Sequence, residues 1–324
     1  MPEYLLEVNN LEVKFSSPKG LINAVNNISF FLNKGEVLGI VGESGSGKTV
    51  SALSLLNLLP VNGRITNGEI LFENKDLLLS SKKHIRQIRG NKISMIFQDP
   101  MSSLNPLMKI GKQVNESMIY HKIIDQKSVL KKTLNLLKKT KIPSPEEGVN
   151  NYPHQFSGGM RQRAMIAMGL SCNPSILIAD EPTTALDVTV QAQIIALVND
   201  LKQEYGMSIV WITHDLGVLA SIADRVLVMY AGKIVEEASV FDIFSKPKHP
   251  YTKGLIDSIP RLDRNKSSGN LQTIEGAPPD LISYPKGCPF SERCMYTKDI
   301  CREMIPINTE NTKDHYFACH NPLN

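Results

Sequence analysis

Little in this sequence points out of the cell or into a membrane. The N-terminal stretch MPEYLLEVNNLEVKF lacks the basic start and apolar core of a signal peptide, and no run approaches the roughly 18 apolar residues that span a bilayer. The chain is therefore expected to be made and kept in the cytoplasm. Charge of one sign is scarce too: 36 Lys and Arg against 32 Asp and Glu leave a formal +4. The densest basic run, KKTLNLLKKTK at 131–141, alternates with leucines at helical spacing, so it reads as a solvated helix face and no nucleic-acid partner is expected. Cysteine is almost missing before residue 287, since four of the five lie in the last 37 residues. No internal repeat or low-complexity tract is present.

With 42% hydrophobic and 21% charged residues, the 324-residue chain can bury a sizeable core, and its length suits one large domain with an appendage. Short β-branched runs alternate with segments of helical period, the pattern of an α/β protein with a mostly parallel sheet covered by helices. Expected strands are LEVKF, AVNNISFFL, VLGIVG, EILFE, ISMIFQ, SILIAD, SIVWIT and VLVMYAG. TVSALSLLNLL, VTVQAQIIALVNDLKQEY and GVLASIA read as helices. About 106–168 carries no convincing strand and is expected to be a helical insertion. Beyond about Ala238, prolines and cysteines mark a tail.

GESGSGKT, Gly42 to Thr49, fits G-x-x-x-x-G-K-[ST] between an apolar strand and an apolar helix. Glycines let such a loop wrap a phosphate with its backbone N–H groups while the helix N-terminus faces the anion. Its eight residues, Gly42, Glu43, Ser44, Gly45, Ser46, Gly47, Lys48 and Thr49, are the expected nucleotide cradle. Lys48 would reach the β and γ phosphates, and the Thr49 hydroxyl would bind Mg²⁺. The strand SILIAD ends in Asp180, placed to hold the magnesium shell, and the adjacent Glu181 can polarise an attacking water as general base. Between these halves, FSGGMRQR opens a helix with Ser157, Gly158 and Gly159, a second anion site. Two phosphate sites on one chain invite a dimer glued by ATP.

In this order the motifs resemble the ATP-binding cassette (ABC) family. GESGSGKT is similar to the Walker A loop, Gln98 in MIFQDP to the Q-loop, FSGGM to the signature, ILIADE to Walker B, ALD at 185–187 to the D-loop, and His214 in WITHD to the switch histidine. Met160 stands where the family signature ends in glutamine. The resemblance implies a P-loop NTPase fold of ABC type over 1–240, with a helical subdomain at about 106–168 and a cysteine-containing extension at 241–324. It implies ATP and Mg²⁺ sandwiched between two cassettes, one Walker A facing the other chain's Ser157, Gly158 and Gly159. Gln98 would then sense Mg²⁺ and the water, and His214 would contact the γ-phosphate. Phe15 is the candidate for stacking on adenine, with a core phenylalanine as its equal alternative.

MSSLNPLMKIG, NYPHQFSGG, KPKHPYTKGLIDSIPRL (246–262) and EGAPPDL (275–281) resemble the importers of peptides and nickel. That likeness implies the ATPase subunit of a peptide importer, at the cytoplasmic face of the membrane. Its partners would be a second ATPase subunit, two transmembrane permease subunits and an extracytoplasmic substrate-binding protein. A nickel importer, or a soluble ABC ATPase outside transport, are the alternatives.

The extension spaces its cysteines as Cys288-x5-Cys294-x6-Cys301-x17-Cys319. Cytoplasmic thiols stay reduced, so a soft metal centre is favoured over disulfides. Four thiolates suit zinc or an iron–sulfur cluster, while the close pair of many zinc sites is absent. Reduced thiols that simply pack are the third reading. Similar ATPases carry this pattern, and a [4Fe–4S] cluster is associated with some of them. His315 and His320 flank the last cysteine without being assigned as ligands, and Cys172 reads as a small core residue.

Overall fold

The computed structural model describes residues 4–184, 186–259, 273–312 and 314–324. The first elements are β1 (Leu6–Ser17), β2 (Gly20–Leu32), β3 (Val37–Val41), α1 (Lys48–Leu55), β4 (Gly63–Phe72), β5 (Lys75–Asp76), α2 (Lys82–Ile88) and β6 (Ile93–Ile96). A helical stretch follows, comprising α3 (Pro100–Ser103), α4 (Ile110–Tyr120), α5 (Gln126–Lys139), α6 (Pro145–Gly148) and α7 (Gly158–Leu170). Then come β7 (Ile176–Asp180), α8 (Val188–Tyr205), β8 (Ser208–Thr213), α9 (Leu216–Leu219), β9 (Arg225–Tyr230) and β10 (Lys233–Ser239). The chain closes with α10 (Val240–Ser245), α11 (Pro250–Asp257), α12 (Asp299–Glu303), β11 (Thr309–Thr312) and β12 (His315–Phe317). Two compact units result. One takes the chain up to Leu32, Val37–Leu78 and everything from Thr213; the other takes Asn33–Glu36 and Leu79–Ile212.

In the first unit, β1 lies antiparallel between β2 and β4, and β5 extends β4. The mostly parallel sheet expected from the sequence is present, but LEVKF, AVNNISFFL and EILFE do not join it and make an antiparallel sheet of their own. Only Pro18 and Lys19 separate β1 from β2, and so short a link makes a hairpin, whereas a parallel pair needs a crossover of a dozen or more residues. The same unit holds β3 parallel to β9, followed by β10, β12 and β11, each antiparallel to its neighbour. Every residue of β3 and β9 is buried. That explains the apolar runs VLGIV of β3 and VLVMY of β9, since a strand covered on both faces has no solvent side to alternate with.

The second unit contains β6, β7 and β8 in parallel. Its connection from β6 to β7 is helical, with α3 to α7 and no strand among the described residues. Asp187 starts α8 by accepting from the Val190 N–H at 2.9 Å. The neighbouring Ala185 of the ALD motif lies outside the described residues, as do Pro260, Arg261 and Leu262 at the end of the KPKHPYTKGLIDSIPRL stretch.

β10 escapes a reading based on apolar runs because KIVEEAS carries Glu236 and Glu237, both buried. Their charges are matched inside the fold. Glu237 pairs with Arg225. Glu236, with no exposed surface, accepts from Lys248 N–H at 2.6 Å and His249 N–H at 2.8 Å, and its Oε1 lies 2.9 Å from His315 Nε2. One carboxylate thus joins β10, the entry to α11 and β12, and so anchors the C-terminal extension. Removing it leaves three polar groups buried without a partner, so Glu236→Ala is expected to cost about 3 kcal/mol. Denaturant unfolding measures the loss, and limited proteolysis should show the extension released first.

Candidate functional site

The loop from Gly42 to Thr49 joins buried β3 to α1. Neighbouring backbone leaves it no room for side chains at two points. A Cβ on Gly42 would stand 2.1 Å from the Met229 carbonyl of β9, and one on Gly47 would stand 2.6 Å from the Ala24 carbonyl of β2. Gly47 also has φ +101°, which only glycine adopts without strain. Lys48, 5% exposed, arches back over the loop and donates to Gly42 O at 2.7 Å and Glu43 O at 2.9 Å. Its ammonium is therefore held among backbone oxygens at the mouth of the loop. Ser46 Oγ is buried without a hydrogen-bond partner, a condition that interior hydroxyls rarely keep unless a ligand completes them. Thr49 is exposed on the first turn of α1, where the helix dipole favours an anion.

Glu43 is held from the C-terminal extension at both ends. Its N–H donates to the Tyr251 hydroxyl at 2.8 Å, and its carboxylate is bound by Arg293. The HPY segment explains the tyrosine: His249 Nδ1 caps α11 by accepting from Tyr251 N–H at 3.0 Å, Pro250 fixes the first turn, and Tyr251 points into the interior with no exposed surface. The same unit carries His214, exposed between β8 and α9, and Phe15, half-buried with its ring over Gly63.

In the second unit Asp180, 2% exposed, ends β7. Glu181 follows with φ +46°, a left-handed conformation that an L-residue with a side chain holds only when its surroundings enforce it. Three hydrogen bonds do so. Its N–H donates to Ile212 O at 2.9 Å, while Gln98 Nε2 at 3.0 Å and Thr184 Oγ1 at 2.9 Å both donate to Glu181 Oε2. Gln98 and Glu181, 83 residues apart, are thus one hydrogen-bonded pair. Ser157 caps α7 by accepting from Met160 N–H at 3.3 Å, and the exposed Gly158 has nothing within 4 Å of where a Cβ would sit. Gly159 sits 3.2 Å from Val190 in the same sense. The helix start is therefore open at Gly158, as a backbone anion site requires.

Cys288, Cys294, Cys301 and Cys319 line one small cavity together with His249, Phe290 and Tyr296. Burial pushes the thiols of Cys288 and Cys319 up to about 11 and raises that of Cys294, with repulsion from neighbouring cysteine sulfurs adding to it. Among the described residues, no three His, Cys, Asp or Glu side chains stand close enough to enclose an ion. Cys172 is buried elsewhere, as a core residue would be.

Sequence reasoning missed Thr184, Tyr251 and Arg293. Thr184 carried a local signal, three residues after the acidic pair. Arg293 carried none, since 250 residues separate it from Glu43.

A strand–glycine loop–helix with a buried lysine, an acidic strand end bonded to a glutamine, and a serine-capped glycine helix start define an ATP-binding cassette ATPase. Residues 25–184 match the ABC transporter family, and residues 235–301 match the oligopeptide/dipeptide transporter C-terminal region. The chain belongs to the family of ABC transporter ATP-binding proteins that carry this C-terminal region. It is 51% identical over 318 residues to the dipeptide transport ATP-binding protein DppD of Bacillus subtilis (strain 168), covering 98% of this chain and 94% of that protein. It is 52% identical to the oligopeptide transport ATP-binding protein OppD of Haemophilus influenzae, covering 95% and 94%. Among solved structures, it is similar to the post-hydrolysis dimer of the ATP-binding cassette MJ0796 bound to ADP and Pi. There the TM-score is 0.66 and the identity 28%, over 72% of this chain and 98% of that one.

Gly47→Ala should expel the loop from its place under Ala24 O. The backbone strain alone costs about 1–2 kcal/mol, and nucleotide retention on an ATP-analogue column should fall with it.

Proposed function

We propose that this chain hydrolyses ATP as the ATPase subunit of a peptide importer, with residues 1–240 as the cassette and 241–324 as its accessory extension. The observation that carries the proposal is the pairing of Gln98 with a conformationally forced Glu181 at the end of a buried strand. A carboxylate so fixed has its lone pairs aimed before substrate arrives, which is what a general base needs. The Walker-type loop supplies the other half: Gly42 to Thr49 bind the phosphates, and Lys48 moves its ammonium from backbone oxygens to the β and γ phosphates. Thr49, Asp180 and Gln98 would hold Mg²⁺, which when bound neutralises charge on the β and γ oxygens. The partnerless Ser46 hydroxyl supports a ligand in the loop.

In the reaction, Glu181 accepts a proton as the water oxygen bonds to the γ-phosphorus. The bond from that phosphorus to the β–γ bridging oxygen breaks with its electron pair on the bridge, giving ADP and phosphate. His214 steadies the γ-phosphate, and Phe15 stacks on adenine. A second ATPase subunit, identical or homologous, presents its own Ser157, Gly158 and Gly159 positions to complete each site.

Exposed Phe97, Met101 and Leu107, on either side of Gln98 and just beyond it, offer apolar contact to a partner next to the residue that touches the catalytic base. Two transmembrane permease subunits are the partners proposed there, loaded by an extracytoplasmic substrate-binding protein. Among the described residues no helix is long and apolar enough to cross a membrane, and the chain is proposed to sit peripherally at the cytoplasmic face. Peptide cargo is favoured over nickel by the dipeptide and oligopeptide transport proteins to which the chain is similar.

For the extension, the four cysteines that share one cavity support a soft centre, with Cys288, Cys294, Cys301 and Cys319 as ligands of a [4Fe–4S] cluster or, as the alternative, zinc, once their side chains draw closer than they stand here. Such a centre would tie together a tail with little core of its own.

Glu181→Gln should retain ATP and lower turnover by about 10²–10⁴-fold, whereas Lys48→Ala should lose nucleotide binding. Single-turnover assays with radiolabelled ATP separate the two, and undiminished turnover in Glu181→Gln removes it as the base. Anaerobic purification should yield brown protein with about four irons per chain. One zinc per chain would favour the alternative, and a colourless, metal-free, active protein would leave the cysteines as packing.

A further inference from the structure

The geometry points to Arg293, in the C-terminal extension, as a positioning residue for the phosphate loop: it holds Glu43 in place and neutralises its charge beside the nucleotide's polyphosphate. This rests on the reading of Gly42 to Thr49 as the nucleotide loop. Guanidinium groups have five N–H donors, and every one of Arg293's is engaged. Nε donates to Glu275 O at 2.9 Å, and Nη2 donates to Ile274 O at 3.1 Å and Glu43 Oε1 at 3.0 Å. Nη1 donates to Glu43 Oε2 at 2.7 Å and to the Tyr230 hydroxyl at 3.2 Å. The side chain is 6% exposed and packs against the rings of Tyr230 and Phe290. This is a pre-formed fork, braced on three sides and offered on the fourth to a carboxylate in the geometry that bidentate pairs prefer.

Glu43 is gripped at every polar atom. Its N–H goes to Tyr251, its carbonyl accepts from Lys48 Nζ, and its carboxylate takes the fork. Tyr251 in turn packs against Tyr230 and Phe290, with ring centroids 4.6 and 5.3 Å apart. The second residue of the phosphate loop is therefore set by side chains more than 200 positions later in the chain. Two consequences follow. The loop's backbone is fixed before ATP arrives, so less ordering is needed on binding. A carboxylate that would repel a triphosphate is also cancelled by a guanidinium that is itself buried.

The test is nucleotide affinity and steady-state kinetics of the full chain with Arg293→Met, which keeps the stem's packing and removes the fork. The ATP Kd and KM should rise about tenfold, as for loss of one charge-assisted bidentate pair, while kcat changes less than about twofold because no reacting atom is touched. Glu43→Gln in the Arg293→Met background should recover most of the affinity, since it removes the uncovered charge. Arg293→Lys should recover only part of it, since an ammonium keeps the charge but cannot make the fork. Coupling of this kind is reciprocal, so ATP should slow proteolytic release of the C-terminal extension in the wild-type chain and not in Arg293→Met. Wild-type Kd in Arg293→Met overturns the inference. So does an equal fall of kcat and thermal midpoint that Glu43→Gln fails to relieve, because that is the behaviour of a residue that only packs. If instead Lys48→Ala binds ATP as well as wild type in the same assay, the nucleotide-loop reading itself has failed.

Discussion

A loop proposed to bind phosphate with its backbone can spend only part of that backbone on its own structure. The more N–H groups it leaves for a ligand, the more it has to be held by what surrounds it. Here the neighbours do this at close quarters. The Met229 carbonyl lies against Gly42, the Ala24 carbonyl against Gly47, and Lys48 reaches back to Gly42 and Glu43. Both glycine contacts are with main chain, which cannot swing aside as a side chain would. The glycines are thus needed twice, for the conformation they allow and for the space they leave.

The extension serves the same end. It lies in the same compact unit as the Gly42–Thr49 loop, and directional polar contacts fix it there alongside the buried Tyr251, Phe290 and Phe317. Glu236 gathers two backbone N–H groups and His315, Glu237 meets Arg225, and Arg293 meets Glu43. A buried pair of this kind adds little net stability but fixes geometry, because any shift leaves a charge without its partner. A tail of short helices and a short hairpin has little core with which to specify its position. Directional bonds supply that specification, and one of them ends on the nucleotide loop.

The binding and proton-transfer roles proposed for the two segments place opposite demands on the backbone. The phosphate loop relies on glycine to avoid strain, whereas Glu181 accepts strain at φ +46° and is kept there by Ile212, Gln98 and Thr184. A side chain was essential at the second position, so glycine could not be used. The cost of a left-handed residue, about 1–2 kcal/mol, is offset by hydrogen bonds that also aim the carboxylate.

Much of this was legible in the sequence, because its signals are local. The apolar runs became β3, β7, β8 and β9, and GESGSGKT, SILIADEP and FSGGM each carry their chemistry within a few residues of a strand end or helix start. The want of a convincing strand over about 106–168 already pointed to a helical segment between β6 and β7. What depended on tertiary structure was every feature whose partners lie far apart. KIVEEAS looks too charged for an interior strand until Arg225 and His315 are beside it. An antiparallel β1–β2–β4 sheet was hidden in a pattern that could equally have been parallel. Arg293, one basic residue in an irregular tail, acquires meaning only when the fold sets it against Glu43, 250 residues away. Local composition encodes which backbone a segment prefers; which charge a buried group meets is decided by the packed chain, because only there is water gone and a partner required.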